Sequence, residues 1–202
     1  RRAFSKIKGG RLAEVIYPAK LTTYMISDIP GDDPSYIGSG PTIQATGYNN
    51  DAIKILNDYK IHINENLKEV IIKNQLPKIL NSPTYMIASP MKALKSAYNQ
   101  AEKLGFKPLI ISDSLEGESR LEGKKMAELA IKIKKEKRFE NIPLKKPILL
   151  LSGGETTVTV KGNGKGGRNT EFMLSMAIHL NEANGIIALS VDTDGIDGVE
   201  GN

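Results

Sequence analysis

The sequence predicts an α/β fold, and three observations lead to that prediction. Segments with strand character and segments with helix character alternate strictly after residue 83. The predicted strand at 147–152 is continuously apolar, which is typical of strands that helices cover on both faces. Pro77 and Pro83 interrupt the chain just before the alternation begins, so residues 77–83 are the best candidate for a domain boundary.

The first part of the chain contains fewer regular elements. Residues 21–27 are rich in β-forming side chains and are predicted to form a strand. This strand runs into a polar loop from Asp28 to Thr42 that contains several glycine and proline residues. Within residues 1–13, a helix is predicted to end near Gly9-Gly10 and to be followed by a second short helix. Further helices are predicted at 51–59 and 64–80.

The second part alternates more regularly. Strands are predicted at 84–89, 107–112, 147–152, 156–160 and 186–191. Helices are predicted at 91–104, 120–139 and 169–180. Only Gly153 to Glu155 separate the strands at 147–152 and 156–160, and a connection that short joins antiparallel strands. We therefore expect the C-terminal part to be a mixed sheet with helices on both faces.

The composition excludes several classes of protein. The chain has 202 residues and no cysteine, which excludes disulfides and thiolate metal sites and favours a cytoplasmic location. The net charge of +5 is spread along the chain, and the one basic run, 132–138, fits the solvated edge of a helix. No apolar run approaches the roughly 20 residues that span a bilayer. We expect neither a nucleic-acid partner nor a membrane partner.

The most distinctive segment runs from Gly153 to Asn169, with the sequence GGETTVTVKGNGKGGRN. Its glycines let backbone N–H groups approach a ligand without hindrance from Cβ atoms. Its cations add positive charge, and the helix that follows directly adds unpaired N–H donors at its start. We expect an anion site for a phosphate chain, with a flexible turn carrying incidental lysines as the alternative. The predicted contact residues are Gly154, Glu155, Lys165, Gly166, Gly167 and Asn169, and Lys161 and Arg168 add further positive charge.

The same glycines also match a dinucleotide-binding pattern. Gly162, Gly164 and Gly167 satisfy G-x-G-x-x-G, which in nicotinamide-dependent enzymes lies between a strand and a helix. The match is weak, because the acidic residue expected about 20 positions further on would have to be Asp192, which comes late. The P-loop pattern is not met, because no Gly-Lys-Ser/Thr occurs.

An acidic loop follows the last predicted strand. The sequence DTDGIDG places Asp192, Asp194 and Asp197 within six residues, and such carboxylates suit Mg²⁺ held beside substrate phosphates. A turn in which an aspartate caps a helix is the alternative. Of the acidic side chains, we predict Asp192 and Asp197 as metal ligands. His62 and His179 are isolated and are not expected to bind a metal.

The loop from Asp28 to Thr42 is a third candidate for ligand contact. It places Asp28, Asp32 and Asp33 beside the run Ser39–Thr42, so carboxylates, hydroxyls and glycine N–H groups follow one strand. Ligands of α/β sheets bind beyond the carboxyl ends of strands, and a structured loop of this length is uncommon without function. Substrate or nucleotide contact is expected here.

Three segments together resemble the class II glycerate kinases. They are KIKGGRLA at 6–13, SDIPGDDPSYIGSGPT at 27–42, and LSGGETTVTVKGNGKGGRNTEF at 151–172 with SVDTDGIDG at 190–198. The last pair resembles the so-called MOFRL domain. The resemblance implies transfer of the γ-phosphoryl group of ATP to D-glycerate, usually giving 2-phosphoglycerate, with Mg²⁺.

The resemblance also implies two different α/β domains with the active site in a cleft between them. Residues 1–82 would be the C-terminal part of an incomplete, Rossmann-like N-terminal domain, and residues 83–202 would be the MOFRL-type domain. The chain starts at Arg1 without a methionine and stops at Asn202 just after a polar loop, and we expect it to be a fragment.

Family roles carry over to single residues. Arg168 resembles a catalytic or phosphate-stabilising arginine, Asp194 falls on a site aspartate, and Lys8 and Asp28 resemble cleft residues. Two departures stand out: Thr170 replaces a usual glutamine, and the stretch 44–80 is shorter than expected.

Two other functions stay open at this stage. One is an NAD(P)H-dependent hydroxypyruvate reductase, because relatives of this family have been linked to that reaction. The other is a non-catalytic nucleotide-binding module. The predicted sheet permits a homodimer but does not require one.

Overall fold

The computed structural model of the chain describes residues 2–45, 49–74, 77, 82–139, 142–143, 147–193 and 195–198. Helices and strands are mixed throughout, which confirms the predicted α/β class. The chain forms two compact units, Arg1–Ser89 and Pro90–Asn202. The sequence places the boundary slightly earlier, at 82/83, and that position stays a prediction.

The first unit contains three α-helices and two strands in its described part. The helices are α1 (Arg11–Ile16), α2 (Asn49–Asp58) and α3 (Glu65–Lys73), and the strands are β1 (Thr23–Ile26) and β2 (Thr84–Ala88). Short 3₁₀ turns occupy Arg2–Phe4, Pro30–Asp32 and Ile37–Ser39. The two strands pair in parallel, and the rings of Tyr24 and Tyr85 stack with centroids 5.5 Å apart.

Helix α3 begins at a recognisable capping residue. The side chain of Asn64 accepts a hydrogen bond from the Leu67 N–H at 2.9 Å, as expected of a residue preceding a helix. The helix ends at Lys73, earlier than the predicted 80. Residues 75–76 and 78–80 of the predicted helix lie outside the described residues.

A buried arginine organises the start of the first unit. The Arg11 guanidinium donates to the carbonyls of Arg2, Lys8 and Asn74 at 3.1, 2.8 and 2.7 Å. Burial lowers the pKa of Arg11, against an opposing effect of Glu14. The Asn74 amide donates in turn to the carbonyls of Ala3 and Ser5. A polar network therefore fastens the first residues to the end of α3.

The second unit has a two-stranded parallel sheet with packed helices. Its helices are α4 (Pro90–Lys103), α5 (Ser119–Glu136) and α6 (Arg168–Leu180). Its strands are β3 (Lys107–Leu115), β4 (Arg138–Phe139), β5 (Ile142–Pro143) and β6 (Ile148–Gly154). Strands β3 and β6 pair in parallel, α4 packs against both, and α5 packs against α6. Strands β4 and β5 form a short antiparallel pair.

Two of the predicted strands are wrong. The segment 156–160 does not pair with 147–152, because β6 continues through Gly153 and Gly154, the residues predicted as the turn. Thr157 instead forms one parallel bridge to Glu118. Residues 186–191 have no regular secondary structure and form no strand within the described part of the chain. Alternation of polar and apolar side chains indicates that a segment has two different faces. A β-strand also needs hydrogen bonds to the backbone of a neighbouring strand.

None of the described helices combines the length and the apolar character that crossing a bilayer requires.

Candidate functional site

The start of helix α6 is bound by a carboxylate of the chain itself. The Asp197 carboxylate accepts hydrogen bonds from the Asn169 N–H at 3.0 Å, the Thr170 N–H at 2.7 Å and the Thr170 hydroxyl at 2.6 Å. These N–H groups are the donors that the sequence assigns to a phosphate. Asp197 therefore caps α6, which is the structural alternative that the DTDGIDG sequence leaves open.

The ionisation of Asp197 fits this capping role. Partial burial alone would raise its pKa, but the Thr170 hydroxyl, the Asn169 and Thr170 N–H groups and the Arg168 charge lower it. The net effect is a pKa below the usual value for aspartate. The group is thus held as a carboxylate, the form that accepts all three hydrogen bonds.

Glycine is required where the acidic loop meets the helix. A Cβ atom on Gly167 would overlap the Asp197 carboxylate, and one on Gly198 would overlap the Gly166 carbonyl. Gly198 also has a positive φ of 76°, which favours glycine. The predicted ligand-contact residue Gly167 therefore has a steric role within the protein, independent of any ligand.

An open cavity of about 250 Å³ lies beside this junction. It is lined by Asn169, Thr170, Met173, Ser190, Asp192, Gly195 and Asp197. The Ser190 hydroxyl donates to the Asn169 side-chain oxygen, which fixes the amide at the cavity wall. Asp192, Asp197 and Asn169, three residues predicted for the site, are thus brought together.

The acidic loop has some, but not all, of the features of a cation site. Within the described residues, no three acidic or histidine side chains converge as a metal-binding group. Asp194, predicted as catalytic, lies outside the described residues. The oxygen donors that line the cavity are of the kind that Mg²⁺ prefers, and Asp192 and Asp197 both contribute.

Arg168 is the first residue of α6, and its guanidinium pairs with the Glu155 carboxylate. Both side chains are partly exposed, at 41% and 59%. Because Glu155 follows β6 directly, the pair joins the end of a sheet strand to the start of the helix. Two residues of the predicted site therefore contact each other.

The glycine-rich loop between these residues is open to solvent. Lys161 and Lys165 are exposed, and within the described residues nothing lies within 4 Å of a Cβ atom built on Gly162, Gly164 or Gly166. Steric crowding by neighbouring residues therefore does not explain why these three positions are glycine. Gly154 differs, because its φ is 145° and a Cβ atom there would overlap the Leu115 backbone.

Sequence reasoning missed Glu118, which holds the other end of this loop. Its carboxylate accepts the Thr159 N–H and the Thr159 hydroxyl, each at 2.9 Å. The residue is 41 positions from Thr159, so no local pattern in the sequence indicates the contact.

The remaining predicted residues, Lys8 and Asp28, lie in the first unit. Asp28 is exposed, and Asp33 accepts the Ser35 N–H at 2.8 Å in a local turn. Asp32 differs, because its Oδ1 is buried and has no hydrogen-bond partner among the described residues. Its backbone also has a positive φ of 53°. A buried carboxylate oxygen without a partner is costly, which makes Asp32 a candidate for ligand contact.

Two family descriptions match the chain. Residues 1–72 match a domain of unknown function, DUF4147, and residues 148–202 match the MOFRL family. The chain is 41% identical to a D-glycerate 2-kinase from Thermotoga maritima, over 98% of the chain and 46% of the relative. It is 45% identical to a putative hydroxypyruvate reductase from Agrobacterium vitis, over 99% of the chain and 46% of the relative.

The structural comparison agrees with these relationships. A crystal structure of glycerate kinase from Thermotoga maritima matches with a TM-score of 0.85 at 41% identity, covering 98% of this chain and 47% of that one. The chain spans about half the length of the curated relatives it matches.

Proposed function

We propose that the chain is part of an ATP-dependent kinase of the glycerate kinase family. Its segments match DUF4147 and MOFRL, and its relatives include glycerate kinases. The acceptor is D-glycerate and the product 2-phosphoglycerate, in keeping with the name of the Thermotoga maritima relative. The observation that carries the proposal is an exposed, cationic glycine-rich loop that ends beside an oxygen-lined cavity.

The loop supplies what phosphoryl transfer needs most, which is positioning and neutralisation of charge. Lys161 and Lys165 are exposed and can meet a phosphate chain. The open glycines let backbone N–H groups approach the same oxygens. Arg168, oriented by Glu155, stabilises negative charge on the transferring group.

The acidic loop provides the oxygen donors for Mg²⁺. When bound, the ion would neutralise charge on the phosphate oxygens. Asp197 already accepts three hydrogen bonds, so in this proposal it mainly holds the loop against α6. Asp192 then contributes a carboxylate that lines the cavity. Asp194 keeps the catalytic role that the resemblance implies.

In the first unit, Asp32 is the carboxylate that we propose to orient the glycerate hydroxyl. Its Oδ1 has no hydrogen-bond partner among the described residues and would accept a hydrogen bond from a substrate hydroxyl once substrate binding opens access to this buried atom. Lys8 and Asp28 keep the roles of substrate contacts that the resemblance implies. A cytoplasmic location is expected from the absence of cysteine.

The reductase alternative has support in the names of two Agrobacterium vitis relatives. Its sequence signature is G-x-G-x-x-G at Gly162 to Gly167, which in dinucleotide-binding folds directly follows a strand. Here β6 ends at Gly154, and residues 155–167 contain no strand beyond the single bridge at Thr157. The local context of the fingerprint is therefore absent, which favours the kinase.

One experiment decides between the two activities. The full-length protein is incubated with D-glycerate, ATP and Mg²⁺, and separately with hydroxypyruvate and NADH or NADPH. ADP and 2-phosphoglycerate are expected in the first mixture. Cofactor oxidation in the second mixture, without ADP in the first, would replace the proposal with a reductase. Nucleotide binding without turnover in either would indicate a binding module.

A further inference from the structure

The segment 156–159, which leads from β6 into the glycine-rich loop, is fastened to the start of α5. The Thr157 N–H donates to the Gly117 carbonyl at 2.8 Å, and the Thr157 carbonyl accepts the Ser119 N–H at 2.8 Å. The Ser119 hydroxyl, which is fully buried, lies 2.7 Å from the Thr156 hydroxyl. The backbone entering the loop is thus held in a defined place.

Glu118 adds the outermost of these contacts, through both carboxylate oxygens. One accepts the Thr159 N–H and the other the Thr159 hydroxyl, each at 2.9 Å. Glu118 occupies the position before α5, yet its side chain makes no hydrogen bond to that helix. Side chains at this position usually cap their own helix. Here the carboxylate serves a neighbouring segment instead.

The pKa of Glu118 is consistent with this contact. It is lowered by the Thr159 N–H and then by the Thr159 hydroxyl, is raised by burial, and is lowered further by the charges of Arg120 and Lys161; the net pKa is below the usual value for glutamate. The side chain is therefore held as a carboxylate, with an acceptor oxygen for each donor.

Beyond Thr159 the loop has little else to hold it. Within the described residues, no hydrogen bond involves residues 160–166. The next described contact of this region joins Glu155 to Arg168, on either side of the loop. The Glu118–Thr159 contact is consequently the last one before Lys161 and Lys165.

We propose that Glu118 is a positioning residue for the phosphoryl transfer. By fixing Thr159, it determines the positions of Lys161 and Lys165 relative to the phosphate chain of the nucleotide. The identification of the ligand as a nucleotide rests on the proposed function. The anchoring of the loop rests only on the two hydrogen bonds of Glu118 to Thr159. Glutamine can keep both contacts, since its oxygen accepts the N–H and its nitrogen donates to the hydroxyl, whereas alanine keeps neither.

The first test measures the loop directly. Trypsin cleaves after Lys161 and Lys165, and the initial rates of cleavage at these bonds can be followed by mass spectrometry under native conditions. Glu118→Ala should accelerate both cleavages about fivefold or more, because local opening of the loop becomes easier. Glu118→Gln should resemble the parent protein. Glu128→Ala, on the exposed side of the same helix, is the matched control and should also resemble it.

The second test measures the nucleotide in the full-length protein. Glu118→Ala should raise the KM for ATP about tenfold, because misplaced contacts weaken binding and orientation. The kcat should change about twofold or less, and the KM for D-glycerate should stay the same. Glu118→Gln should restore the KM for ATP. A purely structural loss would lower kcat or the folded fraction without this selective change.

The outcomes separate the two proposals. Unchanged cleavage after Lys161 and Lys165 in Glu118→Ala would refute the anchoring, whatever the activity. Faster cleavage with an unchanged KM for ATP would refute the positioning role. If the parent protein turns over no D-glycerate, the proposed function fails, and ATP affinity measured by calorimetry takes the place of KM in judging Glu118.

Discussion

Arg168 stands where helix α6 begins, and its pair with Glu155 orients the guanidinium without burying it. An exposed pair contributes at most about 1 kcal/mol to folding, so removal of the side chain should leave stability nearly unchanged. Arg168→Ala should lower kcat about 100-fold, because a donor to developing negative charge is lost. Steady-state kinetics with D-glycerate and ATP, alongside a urea unfolding curve, measure both effects.

The conservative variant separates charge from geometry at the same position. Lysine keeps the positive charge but loses the planar fork that binds two oxygens at once. Arg168→Lys should therefore recover only part of the lost turnover. Near-normal turnover in Arg168→Ala would remove this residue from the catalytic machinery.

Asp197 is a second case in which one side chain decides the local structure. Its carboxylate caps α6 from a position 28 residues after Asn169. Asp197→Ala should lower the free energy of unfolding by about 1 kcal/mol at pH 7, as the loss of a helix cap does. Urea unfolding in the presence of EDTA measures this without a contribution from bound metal.

The pH dependence follows from the lowered pKa of Asp197. The capping contribution is complete above the ordinary aspartate pKa and is lost as the pH falls through the lowered value in the folded protein. The stability difference between parent and Asp197→Ala should therefore shrink in acid, below about pH 4. A difference that stays constant down to pH 3 would contradict capping by the ionised group.

At the scale of elements, the junction of α5 and α6 depends on a glycine. Gly123 lies inside α5, where replacement of glycine by alanine normally stabilises a helix by about 1 kcal/mol. Here a Cβ atom would overlap the Phe172 carbonyl oxygen of α6. Gly123→Ala should instead destabilise the protein by about 1–3 kcal/mol, because the helices must separate. Thermal unfolding shows whether Gly123→Ala lowers or raises the stability, with Glu128→Ala as a surface control on α5.

Much of the order of helices and strands could be predicted, because the spacing of apolar residues along the chain reflects which side chains are buried. The helices predicted at 91–104 and 169–180 occur at Pro90–Lys103 and Arg168–Leu180. The strand predicted at 147–152 occurs at Ile148–Gly154. Its continuation through two glycines was missed, because a Gly-Gly pair is a turn signal unless a neighbouring strand bonds it.

In the candidate site, too, the residue types could be predicted from the local sequence, whereas the contacts between distant residues could not. The cations and glycines of residues 153–168 are visible in the sequence, and so are the three aspartates of the acidic loop. The capping of α6 by Asp197 and the anchoring of Thr159 by Glu118 are not. Each joins residues far apart in the chain, and such contacts depend on how the elements pack.

At the scale of the whole molecule, each unit displays apolar side chains at its surface. In the first unit, the exposed residues of the parallel pair include Tyr24, Ile26, Tyr85 and Ile87. Parallel sheets are normally covered on both faces, so this exposure is unusual. In the second unit, the irregular segment 186–191 contains Ile187 and Leu189, which are 98% and 84% exposed.

A chain of these 202 residues should therefore bind a hydrophobic dye and associate with itself in solution. Contiguous exposed apolar patches promote both, whereas single exposed apolar residues do not. The double variant Ile187→Thr and Leu189→Thr should lower the fluorescence of bound dye, with a stability change below about 0.5 kcal/mol because both side chains are exposed. Val15→Thr, at a single exposed position of α1, should leave the fluorescence unchanged. Light scattering coupled to size exclusion reports the accompanying oligomeric state, and a monomer that binds no dye would contradict the expectation.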